Sequence, residues 1–227
     1  MDSFENLTEP GSLAAAIDAE IRTLLVNNTS NERAVRQKYS RLLKQAGPEF
    51  ILELAKELFR TFGQRLTAYE MIEAHKGAFN CLGEAELEEF GQGLNSWGTV
   101  DAFARTLSGP AWLHGLVSDD VILKWACSED LWWRRAALVS TVAWNVRSHG
   151  GPGDVTRTLA VCRLLAADHE DMVVKALSWA LRELVIHDPD AVKVFLKEHE
   201  NALASRVKYE VGNKLRTGLK NPRRQIG

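Results

Sequence analysis

Glu129-Asp130-Leu131-Trp132-Trp133-Arg134 is echoed 41 residues later by Glu170-Asp171-Met172-Val173-Val174-Lys175. In both stretches two acids open the segment, three apolar residues follow, and a base closes it. Acids in a first turn suit the positive end of a helix dipole. The spacing lies within the roughly 40–47-residue period of repeats built from paired helices. The echo therefore favours stacked helix pairs over a simple bundle.

Outward from this pair, apolar residues recur at three- and four-residue spacing almost everywhere, which is the helical period. The spacing predicts helices over 12–27, 31–46, 48–62, 66–79 and 84–93. It predicts others near 99–107, 119–127, 130–147, 154–167, 170–187, 189–199 and 202–216. Helix punctuation separates them at Gly47-Pro48, Gly91-Gln92-Gly93, Ser108-Gly109-Pro110, Gly150-Gly151-Pro152-Gly153 and Asp188-Pro189. No strand alternation or β-hairpin stands out. The expected fold is all-α, a HEAT-like helical repeat solenoid of stacked antiparallel helix pairs with a concave groove. It is expected to form a single domain over 1–227. Residues 1–94 form its N-terminal repeats, 95–222 the repeats that carry the chemistry, and 205–227 a basic tail.

The composition, 45% hydrophobic and 26% charged, is that of a folded chain and argues against disorder. The net charge of −2 hides an asymmetry. Residues 1–100 carry 10 Lys+Arg against 15 Asp+Glu, whereas residues 101–227 carry 18 against 15. From Ser205 onward, Arg206, Lys208, Lys214, Arg216, Lys220, Arg223 and Arg224 face a single acid, Glu210. A basic end on an acidic chain suggests a polyanion contact, although a solvated charged face gives the same pattern. Cys81, Cys127 and Cys162 are odd in number and far apart, and are expected to be buried reduced thiols. His75, His114, His149, His169, His187 and His199 lack ligand spacing, so no metal and no cofactor is expected. There is no phosphate-cradling glycine motif, no HExxH and no GxSxG. The acidic start Met1-Asp2-Ser3-Phe4-Glu5 lacks an apolar stretch, and no apolar run has the length of a membrane span. A soluble monomer is expected, cytoplasmic or, in a bacterium, associated with the nucleoid.

Seven tryptophans are many for 227 residues. Core packing explains most of them, Trp125 and Trp144 in particular. Three have polar company at telling spacing. Trp97 and Asp101 are four apart and share a helix face. Trp132-Trp133-Arg134-Arg135-Ala136-Ala137 sets two guanidiniums beside two indoles, followed by small residues that let helices approach. Lys175, Trp179 and Arg182 fall on one helical stripe. For any one of these pairs alone, a structural salt bridge or cap is the plainer reading. Stacked together, the faces would line a groove that is basic, aromatic and equipped with one carboxylate.

From about Asn95 to Pro222 the chain resembles the AlkD-like DNA glycosylases, HEAT-repeat enzymes of DNA alkylation repair. The resemblance is carried by Ser96-Trp97-x-x-Val100-Asp101, Trp132-x-x-Arg135-Ala136-Ala137 and Lys175-Ala176-x-x-Trp179-x-x-Arg182-Glu183, in matching order and separation. It implies that Asp101 is the catalytic carboxylate, that Arg135 contacts the DNA backbone near the lesion, and that Trp179 walls the damaged nucleotide. Further backbone contacts are expected from Lys175, Arg182 and Arg134. The family pattern has a second tryptophan directly after the first, where this chain has Gly98. Trp97 or Trp112 then supplies that wall, or the wall is incomplete.

The implied reaction is hydrolysis of the N-glycosidic bond of positively charged N3- or N7-alkylated purines in duplex DNA. Such a base leaves neutral without being protonated, so the general acid needed for sugar ethers is dispensable. One fixed carboxylate can stabilise the oxocarbenium-like sugar and orient water. Two other readings stand beside it. One is a non-catalytic relative that binds damaged or branched DNA, and the other is a protein-interaction scaffold.

Overall fold

The computed structural model describes residues 9–26, 28–147 and 150–222. Among the described residues it contains helices and no strand. The fold is the all-helical, HEAT-like repeat arrangement expected from the spacing. Met1–Glu5 and the tail residues Arg223 and Arg224 lie outside the described residues.

The chain divides into two compact units, Met1–Gln92 and Gly93–Gly227. The first holds α1 (Pro10–Arg22), α2 (Thr29–Leu42), α3 (Pro48–Arg60), α4 (Arg65–Ala74), α5 (Lys76–Asn80) and α6 (Glu84–Phe90). Helix α3 packs against α1 and α4, closing a core around Ile17, Ile21, Leu54, Leu58 and Ile72. Burying each such side chain contributes about 1.5–3 kcal/mol. Two polar ties fix the packing: the Tyr69 hydroxyl donates to the Phe90 carbonyl at 2.7 Å, and Arg33 reaches buried Glu70 at 2.6 Å. The expected helix 66–79 is split at His75, whose Nδ1 accepts the Ala78 amide at 3.0 Å and caps α5.

The second unit holds α7 (Trp97–Phe103), a π-helical turn (Ala104–Ser108), α8 (Gly109–Leu113), α9 (Asp119–Ala126), α10 (Leu131–Ser140) and α11 (Val142–Asn145). It continues through α12 (Val155–Leu164), α13 (Asp171–Leu184), α14 (Pro189–Glu198) and α15 (Ser205–Thr217). Helices α7, α10, α13 and α15 pack side by side in sequence order. Helices α9 and α12 back them, each paired with the helix that follows it. Ala136, Ala137, Ala176 and Ala180 are buried at these contacts, where small side chains permit close helix approach. The 41-residue echo corresponds to successive members of the row. Asp130 caps α10 by accepting the Trp132 amide at 2.8 Å, and Asp171 opens α13.

Three further sequence expectations need correction. Ser108-Gly109-Pro110 is not a break between helices. Pro110 has no N–H to donate, and its ring crowds the carbonyl one turn back. The backbone answers by widening: the Gly109 N–H reaches back five residues to the Ala104 carbonyl, and the helical path continues into α8. The thiols are also not uniformly buried, since Cys81 and Cys127 at the ends of α5 and α9 are exposed and only Cys162 is buried. Finally, the helix expected over 130–147 is interrupted at Thr141, where the Thr141 hydroxyl bonds back to the Leu138 carbonyl at 2.7 Å.

Gly109 is the tightest point of the π-helical turn. A Cβ there would lie 2.7 Å from the Ala104 carbonyl oxygen and 3.0 Å from both the Ser140 carbonyl oxygen and the Ala143 Cβ. Beside it, the buried Ser108 and Ser140 hydroxyls meet at 2.7 Å, tying the turn to α10. Gly109→Ala is therefore expected to lower stability by about 1–3 kcal/mol through overpacking. Urea denaturation checks this, and an unchanged midpoint would mean that the turn is slack.

Candidate nucleic-acid lesion site

Ser96 begins the site by capping α7, accepting the Thr99 amide at 3.3 Å while the Thr99 hydroxyl accepts the Ser96 amide at 3.3 Å. Trp97 is the first residue of α7 and projects into solvent, 61% exposed. One turn further, Asp101 points toward α10 and is partly buried. A Cβ on Gly98 would meet nothing within 4 Å, so the space beside Trp97 is open.

Arg135 on α10 is only 5% exposed and grips Asp101 with two prongs. Its Nε donates to one carboxylate oxygen and its Nη2 to the other, each at 3.0 Å. Its Nη1 donates to the Met172 carbonyl at 2.6 Å, at the start of α13. One guanidinium thus joins three successive helices of the row. Burial pushes the Asp101 carboxyl above the usual carboxylate range; Arg135, and Arg105 beyond it, pull it back without cancelling the rise. A partly desolvated carboxylate, held rigidly, acts strongly on a nearby developing cation.

On α13, the Trp179 indole N–H donates to Glu183 at 3.0 Å, which fixes the ring. Arg105, in the π-helical turn, lies with its guanidinium carbon 5.9 Å from the centre of that ring. Asp101, Arg135, Arg105 and Trp179 therefore form one neighbourhood, with Trp97 a turn before Asp101 on the same helix. Sequence reasoning misses Arg105. Its only signal there is its position four residues after Asp101, the helical spacing of an acid–base pair.

The other expected site residues sit elsewhere. Trp112 is 2% exposed, donates its indole N–H to Asp119 at 2.8 Å and packs edge-on against Trp144 at 5.6 Å. Arg134 pairs with Asp168 at 2.7 Å and donates to the carbonyls of Ser128 and Glu129. Arg182 lies against Ser178 and Glu210, at 3.3 Å and 4.0 Å. Lys175 forms a half-exposed bridge with Asp171 at 2.6 Å. No group of three or more His, Cys, Asp or Glu among the described residues is placed to hold a metal ion. No described helix is long and apolar enough to cross a membrane.

A family model for DNA alkylation repair enzymes matches residues 14–212. The chain belongs to the DNA alkylation repair enzyme family. No curated protein and no solved structure matches the chain. In this family member the match covers helices of both units, so the N-terminal helices, which carry no diagnostic motif, belong to the family region as well.

The Asp101–Arg135 pair generates a test. Removing Arg135 alone strands a partly buried carboxylate, and breaking such a pair costs about 3–5 kcal/mol, here at the lower end because Asp101 keeps some exposure. Arg135→Met is expected to destabilise strongly, and adding Asp101→Asn is expected to restore much of the stability. Equal stability of the single and double variants in urea would show that the pair is not coupled.

Proposed function

We propose that this family member is a DNA glycosylase that hydrolyses the N-glycosidic bond of positively charged N3- or N7-alkylated purines in duplex DNA. The observation that carries the reading is the Asp101 carboxylate, clamped by Arg135 and flanked by Trp97, Trp179 and Arg105. A clamp of this kind maintains a negative charge at one fixed point. That is the requirement for stabilising a cation that develops there.

The C1′–N bond breaks with both electrons going to the base. They neutralise the formal charge of the alkylated ring, so no proton has to be supplied. The deoxyribose is left as an oxocarbenium-like cation facing Asp101. Water then adds to C1′ and its proton passes to the carboxylate and on to solvent, giving free base and an abasic site. Exposed Trp97 and half-buried Trp179 offer indole faces that attract a cationic nucleotide, each contact being worth about 0.5–2 kcal/mol. Uncharged lesions gain neither the cation–π contact nor the easy departure, which gives selectivity for cationic bases.

The backbone of the duplex is held by cations along the α7–α10–α13–α15 row. Lys175 and Arg206 are each more than a third exposed and both pair with Asp171 at the surface, where an ion pair contributes only about 0–1 kcal/mol; Arg206 also reaches Glu210 at 3.4 Å, a carboxylate that Ser178 and Lys220 continue to hold. Such cations exchange a carboxylate for a phosphate at little cost.

The test is release of methylated purines from methylated duplex DNA. Wild type is expected to release base well above the spontaneous rate, and Asp101→Asn to reduce release by at least about tenfold, corresponding to about 1.4 kcal/mol less transition-state stabilisation. Since the ionised carboxylate is the active form and burial raises its pKa, the rate should climb with pH through an acid limb lying above the ordinary aspartate range. DNA binding without release would favour the non-catalytic relative, a reading that the open space at Gly98 supports. Gly98→Trp would then be the informative gain-of-function variant.

A further inference from the structure

Sequence and resemblance assign four cations to the DNA backbone at this site: Arg134, Arg135, Lys175 and Arg182. The structure commits all four to carboxylates of the protein itself. Arg135 and Arg134 are additionally bonded to backbone carbonyls, and Arg182 is mostly buried. Recruiting Arg135 or Arg134 to a phosphate would take the guanidinium from Asp101 or Asp168 and from backbone carbonyls, Arg182 is too buried to reach outward, and Lys175 exchanges most cheaply. Arg105 differs from them. It is exposed, and no carboxylate lies within salt-bridge distance of its guanidinium among the described residues. Its guanidinium lies instead over the face of Trp179.

We propose that Arg105 is the phosphodiester-binding residue of the lesion site, holding the backbone phosphate beside the damaged nucleotide while its guanidinium lies against Trp179. The inference rests on the DNA reading above but not on base release. The Trp179 face supplies the platform: an arginine lying along an indole keeps its N–H groups free at the rim, where they can engage two phosphate oxygens at once. The π-helical turn supplies the placement. By widening the backbone after α7 it sets Arg105 between Asp101 on α7 and Trp179 on α13.

The experiment is a salt titration of binding to a short duplex carrying a tetrahydrofuran abasic-site analogue, a probe with no base to release. Each phosphate-neutralising cation removed from the protein shrinks the slope of log K against log salt by about 0.9. Arg105→Gln is expected to bind more weakly and to show a slope smaller by about 0.9. Arg105→Lys should keep the slope but bind less tightly, because an ammonium cannot lie flat on the indole. Lys193→Gln on α14, whose partner is Asp190, is the control expected to leave both unchanged. All variants are first matched to wild type by thermal melting, since Arg105 is exposed and its removal opens no cavity. A slope for Arg105→Gln equal to that of wild type overturns the proposal, as does wild type that fails to bind the duplex. The two readings fail separately. A reduced slope in a protein that releases no base leaves Arg105 as the phosphate residue and removes the glycosylase, while an unchanged slope in an active enzyme does the reverse.

Discussion

The fork of Arg135 is the constraint on which the second unit turns. Three of its nitrogens bind three groups on neighbouring helices: both oxygens of Asp101 on α7 and the carbonyl of Met172 on α13. The planar guanidinium can satisfy all of them only if α7, α10 and α13 keep their spacing and register, because its donors diverge at fixed angles. A lysine, with one rotatable ammonium, would impose no such condition. Buried alanines on α10 and α13 then let the helices close to the distance that the fork demands. A similar link occurs one helix further along, where the buried Ser178 hydroxyl on α13 donates to Glu210 on α15 at 2.6 Å. Polar links at intervals of 32 to 37 residues therefore run through the row and specify its register, while apolar burial supplies most of its stability.

This explains why the helical class could be read from the chain and why its interruptions could not. Apolar period and punctuation report on single helices, and these are strong wherever a helix has one buried face, as in α3 or α13. The echo of Glu129-Asp130 in Glu170-Asp171 reports on stacking, because both pairs open a member of the same row. Interruptions depend instead on tertiary contacts. His75 ends one helix and starts another by lending its ring to the Ala78 amide, and no propensity of histidine announces this. Ser108-Gly109-Pro110 carries every local mark of a break. It stays helical because Gly109 allows the turn to approach Ser140 and Ala143 and because the π-type bond bypasses the proline.

The site divides along the same line. Residue types and spacing bring out Asp101, Arg135, Trp97 and Trp179, each at a fixed position in a repeated helix. Spacing says nothing about whether a cation is free. Arg134 and Arg135 are adjacent in sequence and look alike, yet one binds Asp168 and two carbonyls while the other binds Asp101 and a third. Trp112 has the chemistry of a lesion wall but is turned toward Asp119 and Trp144. Arg105 has no motif to mark it, and only the pairing of its neighbours distinguishes it.

That pairing bears on how one carboxylate suffices. A lone buried aspartate would be costly and would tend to take up a proton, giving up the charge that the chemistry needs. A fully exposed one would keep its charge but be screened by water to about 1 kcal/mol at 4 Å. Asp101 occupies the middle ground: burial raises its carboxyl above its ordinary value, and the two-pronged hold of Arg135 opposes that rise. The counterion lies on the side of Asp101 facing α10 and α13, leaving the solvent side toward Trp97 for a substrate. A cation arriving from that side meets a charge already fixed in position, with little reorganisation to perform. On the glycosylase reading proposed above, selectivity for positively charged bases would follow from that fixed charge, and the open space at Gly98 would remove one indole face without touching the Asp101–Arg135 pair.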